Sequence, residues 1–142
     1  MNSADIILNK TPHEGILFLG SINATSYSFI KLNNINVVIS MIREDIKVNC
    51  IHHVYYIKDS VHDNEKFQAM VPEITSLIDF YLKAKLNVLV HCRAGIHRSP
   101  AIVVHYLQRY KGMSLKRAVK LVRQKRSIAF FNGSTFDLHN RK

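Results

Sequence analysis

The stretch Asn87-Val88-Leu89-Val90-His91-Cys92-Arg93-Ala94-Gly95-Ile96-His97-Arg98-Ser99-Pro100-Ala101-Ile102-Val103-Val104 decides how this chain folds. Asn87 to Val90 reads as a buried strand, and the apolar run after Ser99-Pro100, continued by Leu107, reads as the start of a buried helix. Between them lies a short glycine-containing loop with a thiol at one end and a guanidinium at the other. Backbone N–H groups curling around a helix start, with the helix dipole behind them, make a concave anion site. Arg98 adds a planar fork that can pair two phosphate oxygens at once. Thiols beside cations or at helix N-termini ionise more readily than free cysteine. Cys92 is therefore expected to meet a bound phosphoryl group as a thiolate and to attack it.

Working outward, Ile16 to Gly20 and Asn36 to Met41 read as strands separated by a short helical segment around Ser26 to Leu32. A further strand is predicted over Ile51 to Ile57. Phe67, Met70, Val71, Ile74, Leu77, Ile78, Tyr81 and Leu82 then recur at spacings of three and four, the mark of an amphipathic helix. Two helices follow the loop, about Ser99 to Tyr110 and Ser114 to Lys125, divided by Gly112, and a last short helix is predicted from about Ser134 to the end. This alternation predicts one α/β domain over residues 1–142, with residues 1–14 as an N-terminal extension. The central sheet is expected to hold four to five mainly parallel strands, with helices on both faces. Ligands of such sheets bind beyond the strand carboxyl ends, where the Cys92 loop lies. The first eight residues, ending Ile6-Ile7-Leu8, can pack on their own domain or on a second copy, so both monomer and homodimer stay open.

The Cys-x5-Arg interval, with His91 before the thiol and Ser99 after the guanidinium, resembles the signature of the cysteine-dependent phosphatases. The Ala94-Gly95 pair and the short chain are most similar to the dual-specificity branch. The likeness runs from about Gly15 to Asn140 and includes Leu17-Phe18-Leu19-Gly20-Ser21 and Tyr55-Tyr56-Ile57-Lys58-Asp59-Ser60. It implies hydrolysis of phosphotyrosine and of phosphoserine or phosphothreonine in proteins through a cysteinyl-phosphate. The amides of Arg93, Ala94, Gly95, Ile96, His97 and Arg98 would hold the phosphoryl oxygens. Neither metal nor cofactor is called for, since Arg98 and the amides do the charge work.

Such hydrolysis needs an acid for the departing oxygen and then a base for water, and one carboxyl can serve both steps. Family members carry it on a loop just after a strand; Asp59 matches that place, with Asp63 as competitor. Ser99 has two compatible readings, as N-cap of the following helix or as a hydroxyl that assists the departing sulfur. By resemblance His91 holds the loop and helps keep Cys92 ionised. His97 stands where many relatives have a small residue, and can add a wall or a titratable donor at the pocket rim. Asn132 falls where relatives often pair Asn with Pro, but Gly133 replaces the Pro here, which puts a supporting role in doubt.

The composition, 47% hydrophobic and 21% charged, is that of an ordinary globule. No run reaches the length of a membrane span and the N-terminus lacks a signal-peptide pattern, so a reducing, cytoplasmic setting is expected. Two cysteines, Cys50 and Cys92, exclude a disulfide framework. Cys50 reads as a packing residue, the sharper alternative being a resolving thiol for Cys92. The net charge is +10, with much of the excess in Lys111, Lys116, Arg117, Lys120, Lys125, Arg123 and Arg126. That segment reads as a solvated helix face, or as a docking stripe for acidic protein, phosphoinositide or RNA.

Strict tyrosine phosphatases carry an added recognition loop for which this chain is too short, so a shallow pocket and dual specificity are expected. RNA 5′-triphosphatases of the superfamily tend to have Thr-His-Gly after the Cys and Asn before the Arg, unlike Arg93-Ala94-Gly95 and His97 here. A phosphoinositide phosphatase stays open on charge grounds. A non-catalytic phosphoprotein-binding module is the rival of another class, though such modules usually lose the Cys or the Arg. A sulfur transferase of the rhodanese type also uses a Cys loop but fits the Arg and Ser less well. Abundant Ile, Asn and Lys point to an AT-rich genome, and a domain this bare is similar to the small phosphatases of large DNA viruses.

Overall fold

A computed structural model describes residues 2–140. Five strands form one sheet in the order β1-β2-β5-β3-β4, where β1 is Ala4–Leu8, β2 Leu17–Gly20, β3 Val37–Ser40, β4 Ile51–Val54 and β5 Val88–His91. β2, β5, β3 and β4 run parallel, and β1 pairs antiparallel with β2. The N-terminal segment thus folds onto its own domain as an edge strand.

Parallel strands covered on both faces read as continuous apolar runs, and β2, β3 and β5 are buried at every position. Alternation still sorts their side chains. Leu17, Leu19, Val37, Ile39, Val88 and Val90 join the large core, with α2 (Asn64–Lys83), α3 (Arg98–Lys111) and α4 (Leu115–Lys125). Phe18, Val38 and Leu89 face the other way and pack with Phe29 and Ile30 of α1 (Tyr27–Leu32). The predicted periodicity of α2 holds, since Phe67, Val71, Ile74, Ile78 and Leu82 are its buried apolar stripe.

Two expectations are corrected. β4 stops at Val54 rather than Ile57: β3, its strand partner among the described residues, ends at Ser40, which pairs with Val54. No helix forms over residues 134–140; the expected end of that helix lies outside the described residues. Here the segment's backbone is taken by side chains of other helices. Asn64 Oδ1 accepts from the Asp137 amide, Gln68 and His105 reach the Asp137 carbonyl, and Gln108 reaches that of Leu138. Phe136 stacks on Phe67 at 4.4 Å, closing the core over α2 and α3.

The sheet also settles Cys50. Its neighbour Ile51 pairs with Val37, whereas Cys92 follows His91, which pairs with Ser40. The two cysteines lie at opposite ends of the parallel strands, roughly 16 Å apart along the strand direction alone, and pack with clusters on opposite faces. A disulfide needs Cα atoms closer than about 7 Å. Cys50 is a packing residue whose thiol burial pushes upward in pKa.

Candidate active site

The chain leaves β5 at His91 and enters α3 at Arg98, and the six peptide carbonyls from Cys92 to His97 are each held from outside the loop. His91 Nδ1 donates to Cys92 O at 3.1 Å, and the Ile22 amide to Arg93 O at 3.0 Å. Arg126 gives Nη2 to Ala94 O at 3.0 Å and Nε to Gly95 O at 2.9 Å. The Phe130 amide takes Ile96 O at 2.7 Å, and the Ala101 amide takes His97 O at 3.0 Å. In a planar trans peptide the N–H points opposite to the C=O, and none of these bonds is cis. Carbonyls turned outward therefore turn the amides of Arg93, Ala94, Gly95, Ile96, His97 and Arg98 toward the loop's hollow.

Gly95 makes this winding possible. Its φ is +70°, and a Cβ there would sit 2.6 Å from Arg126 Nη2 and 2.7 Å from Gly20 O. Left-handed backbone and close approach both demand glycine. Arg126 is the residue that sequence reading misplaced. Counted with the solvated basic face, it is instead 2% exposed and bonds Asn2 O and Asp5 Oδ2 as well as the loop. The available signal was its position just past the last turn of α4, where the buried stripe through Ala118 and Val122 continues. Lys111 also leaves that face, pairing with Glu14. Lys116, Arg117, Lys120, Arg123 and Lys125 remain exposed.

Cys92, the first residue of the loop, is 2% exposed. Its Sγ lies 3.1 Å from Ser99 Oγ and 3.4 Å from the Ser99 amide. Ser99 is thus not the N-cap. It is the second residue of α3, with its hydroxyl turned to the sulfur and to Gly20 O at 3.4 Å, while Pro100 occupies the first turn as expected.

His91 is fully buried, and its ring is ordered by its partners. Nδ1 faces a carbonyl and must carry the proton, so Nε2 accepts from Ser40 Oγ at 2.6 Å, and Ser40 in turn meets His52 Nε2 at 2.8 Å. Burial lowers the His91 pKa to about 4, which leaves the ring neutral at neutral pH. Its influence on Cys92 then runs through the hydrogen bond to the Cys92 carbonyl rather than through a charge. This chain of Ser40 and His52 was not read from sequence, because β3 and β4 meet β5 only in the folded sheet.

Arg98 Nη1 donates to Ile57 O at 3.0 Å, tying the phosphate loop to the segment that carries Asp59. Its Nε is buried and, among the described residues, has no partner. Arg93 extends outward to Glu44 at 2.7 Å.

Asp59 follows β4 by a few residues. Asp63, its competitor, spends Oδ2 on the Lys58 amide at 2.9 Å and so closes the turn that presents Asp59. Asp59 Oδ2 meets His97 Nδ1 at 2.9 Å, and Oδ1 accepts from Thr135 Oγ1 at 2.6 Å. His97 Nε2 reaches Phe131 O at 3.2 Å. Burial opposes ionisation of Asp59, but the hydrogen bonds from Thr135 and His97, with the charges of His97 and Arg98, outweigh it and hold the carboxyl below its ordinary range. Asn132 stands exposed at φ +64°; Thr135, passed over in the sequence, takes the place beside Asp59.

A family model described as "Dual specificity phosphatase, catalytic domain" matches residues 17–140. Protein 123R of Invertebrate iridescent virus 6, a tyrosine phosphatase by name, is 31% identical over 122 residues, 82% of this chain and 79% of that protein. Dual specificity protein phosphatase 1B of Arabidopsis thaliana is 34% identical over 118 residues, 82% of this chain and 71% of that protein. Among solved structures, human DUSP28 superposes with a TM-score of 0.78 at 20% identity, over 91% of this chain and 84% of that one. The human tyrosine phosphatase-like serine/threonine/tyrosine-interacting protein gives 0.73 at 26%, over 89% of this chain and 85% of that one. The chain belongs to the dual-specificity phosphatase family. It is a protein phosphatase of the cysteine-dependent type, and phosphorylated protein is its substrate class.

Proposed function

We propose that Cys92 is the nucleophile, Asp59 the acid and then the base, Arg98 and the six loop amides the phosphoryl cradle, and Ser99 the donor to the departing sulfur. The observation that carries this reading is the outward turning of six successive carbonyls around a nearly buried thiol. In the first step Cys92 Sγ bonds to phosphorus, the bond from phosphorus to the substrate oxygen breaks, and that oxygen takes a proton from Asp59. In the second, water loses a proton to Asp59 and bonds to phosphorus as the sulfur leaves, its charge met by the Ser99 hydroxyl 3.1 Å away. The amides and Arg98 follow the phosphoryl group through both steps, where such fixed dipoles do most of the catalytic work. His91 positions the Cys92 peptide.

The exposed cations of α4, with no acidic residue among Leu115–Lys125, suit attraction of acidic phosphoproteins, a rate effect that falls with ionic strength. Among the described residues no helix is long and apolar enough to cross a membrane; a reducing cytoplasmic site of action fits an enzyme working through a free thiol. The test is hydrolysis of a small aryl phosphate and of phosphopeptides by wild type and Cys92→Ser. Turnover should vanish in the variant while vanadate binding persists. Unchanged turnover, or wild-type activity confined to triphosphate-ended RNA or to phosphoinositide, contradicts the reading.

A further inference from the structure

His97 ties three segments together, and the partners fix how many protons the tie contains. The Phe131 carbonyl can only accept, so the ring nitrogen 3.2 Å from it, Nε2, carries a hydrogen. One proton then lies between Nδ1 and Asp59 Oδ2, 2.9 Å apart. Without it, a nitrogen lone pair would face a carboxylate. With it, the pair is either imidazolium and carboxylate or neutral imidazole and carboxylic acid. The carboxyl is held below its ordinary range by its partners, so Asp59 stands as the acceptor of this hydrogen bond. The other carboxyl oxygen receives the Thr135 hydroxyl at 2.6 Å. The groups that face Asp59 are His97 from the phosphate loop, Arg98 from α3 and Thr135 from the C-terminal segment, and each of them favours its ionised form.

An ionised Asp59 suits the second step, in which it takes a proton from water, and hampers the first, in which it must give one. How much the first step suffers depends on the leaving oxygen. A phenolate, as from phosphotyrosine, can depart with little protonation. The far more basic alkoxide of serine or threonine cannot.

We infer that His97 and Thr135, by holding both oxygens of Asp59, restrain its action as an acid and bias this phosphatase toward aryl phosphate esters, phosphotyrosine above phosphothreonine. His97 is a positioning residue here, acting on the leaving group through Asp59. The inference rests on the proposed role of Asp59 and goes beyond it by ranking the substrates.

The test is kcat/KM against leaving-group acidity for a series of substituted phenyl phosphates. Phosphotyrosine and phosphothreonine peptides of one sequence are added, each measured across pH, for wild type, His97→Ser, Thr135→Val and Asp59→Asn. His97→Ser keeps the amide that faces the phosphate. Wild-type rates should fall steeply as the leaving phenol becomes more basic, and phosphotyrosine should exceed phosphothreonine by at least about tenfold, a fraction of what general acid catalysis can supply.

His97→Ser should flatten the slope, raise the ratio of phosphothreonine to nitrophenyl phosphate turnover at least about fivefold, and move the alkaline limb of kcat/KM to higher pH. The sign follows from removing a partner that favours the carboxylate, so that the acid form persists to higher pH. Thr135→Val should act in the same direction, and Asp59→Asn should abolish the gain in combination with either. An Asp59-dependent slope that is the same with and without His97 overturns this inference and leaves the acid assignment standing. Asp59→Asn without effect on the slope in any background overturns both.

Discussion

The proposed phosphate loop and the segment that carries the proposed acid, Asp59, are joined by hydrogen bonds but are built in opposite ways. Residues 92–97 are held through backbone carbonyls, by partners that include three main-chain amides and one buried guanidinium. Asp59 is held through its side chain, by an imidazole and a hydroxyl that come from the phosphate loop and the C-terminal segment. The first arrangement is indifferent to most side chains in the loop and does not titrate near neutral pH. The second depends on particular residues and on one proton. On the proposed roles, catalytic geometry is therefore fixed at the cradle and adjustable at the acid.

The largest effect should come from the acid side. Asp59→Asn is expected to lower kcat/KM about 10²–10⁴-fold with a basic leaving group, the usual worth of general acid catalysis, and much less with nitrophenyl phosphate. Equal losses with both substrates would show that Asp59 shapes the site rather than supplying a proton. On the cradle side, Arg126→Met releases the Ala94 and Gly95 carbonyls together. A small misplacement of catalytic groups costs about 10²-fold, so kcat/KM and vanadate affinity should fall together by that order. Gly95→Ala should do the same, since its Cβ would enter Arg126 and Gly20. Wild-type vanadate affinity in Arg126→Met would mean that the loop keeps its winding without the clamp.

The cradle was legible before the fold because its parts are local. A strand, a glycine, a guanidinium and a helix start fall within one stretch, and their chemistry depends on spacing alone. What holds the cradle was not. Arg126 sits far along the chain in a run of lysines and arginines, and only packing of α4 against β1 distinguishes it from its neighbours. The surroundings of Asp59 were hidden for the same reason. Thr135 and Phe131 belong to a segment whose expected helix gives way to a path pinned by Asn64, Gln68 and Gln108. The strands, by contrast, declared themselves by composition, and only their ends depended on a neighbour's length.

A smaller effect lies beneath both regions. His91 is buried neutral, with its pKa lowered from 6.5 to about 4. Below 6.5 the unfolded chain takes up a proton that the folded one refuses, so stability contributed by the neutral ring is lost as pH falls from 6.5 toward 4. The loss approaches roughly 3 kcal/mol when complete. His91→Gln should show a flatter decline in denaturation midpoint over that range, relative to its own value at pH 7.5. Parallel curves for the two proteins would place the acid sensitivity elsewhere. The smallest effect is expected at the exposed cations of α4. Lys116→Gln with Lys120→Gln should reduce kcat/KM for an acidic phosphoprotein a few-fold at low salt and leave small aryl phosphates untouched.

The central claim is that outward carbonyls make an inward ring of donors which binds a phosphoryl group independently of the nucleophile. Calorimetric titration of Cys92→Ser with vanadate or inorganic phosphate tests it without any turnover. Saturable one-to-one binding, lost when Arg98→Ala is added, is the predicted result. An intact, folded Cys92→Ser protein that binds neither anion, or binds equally well without Arg98, would contradict it.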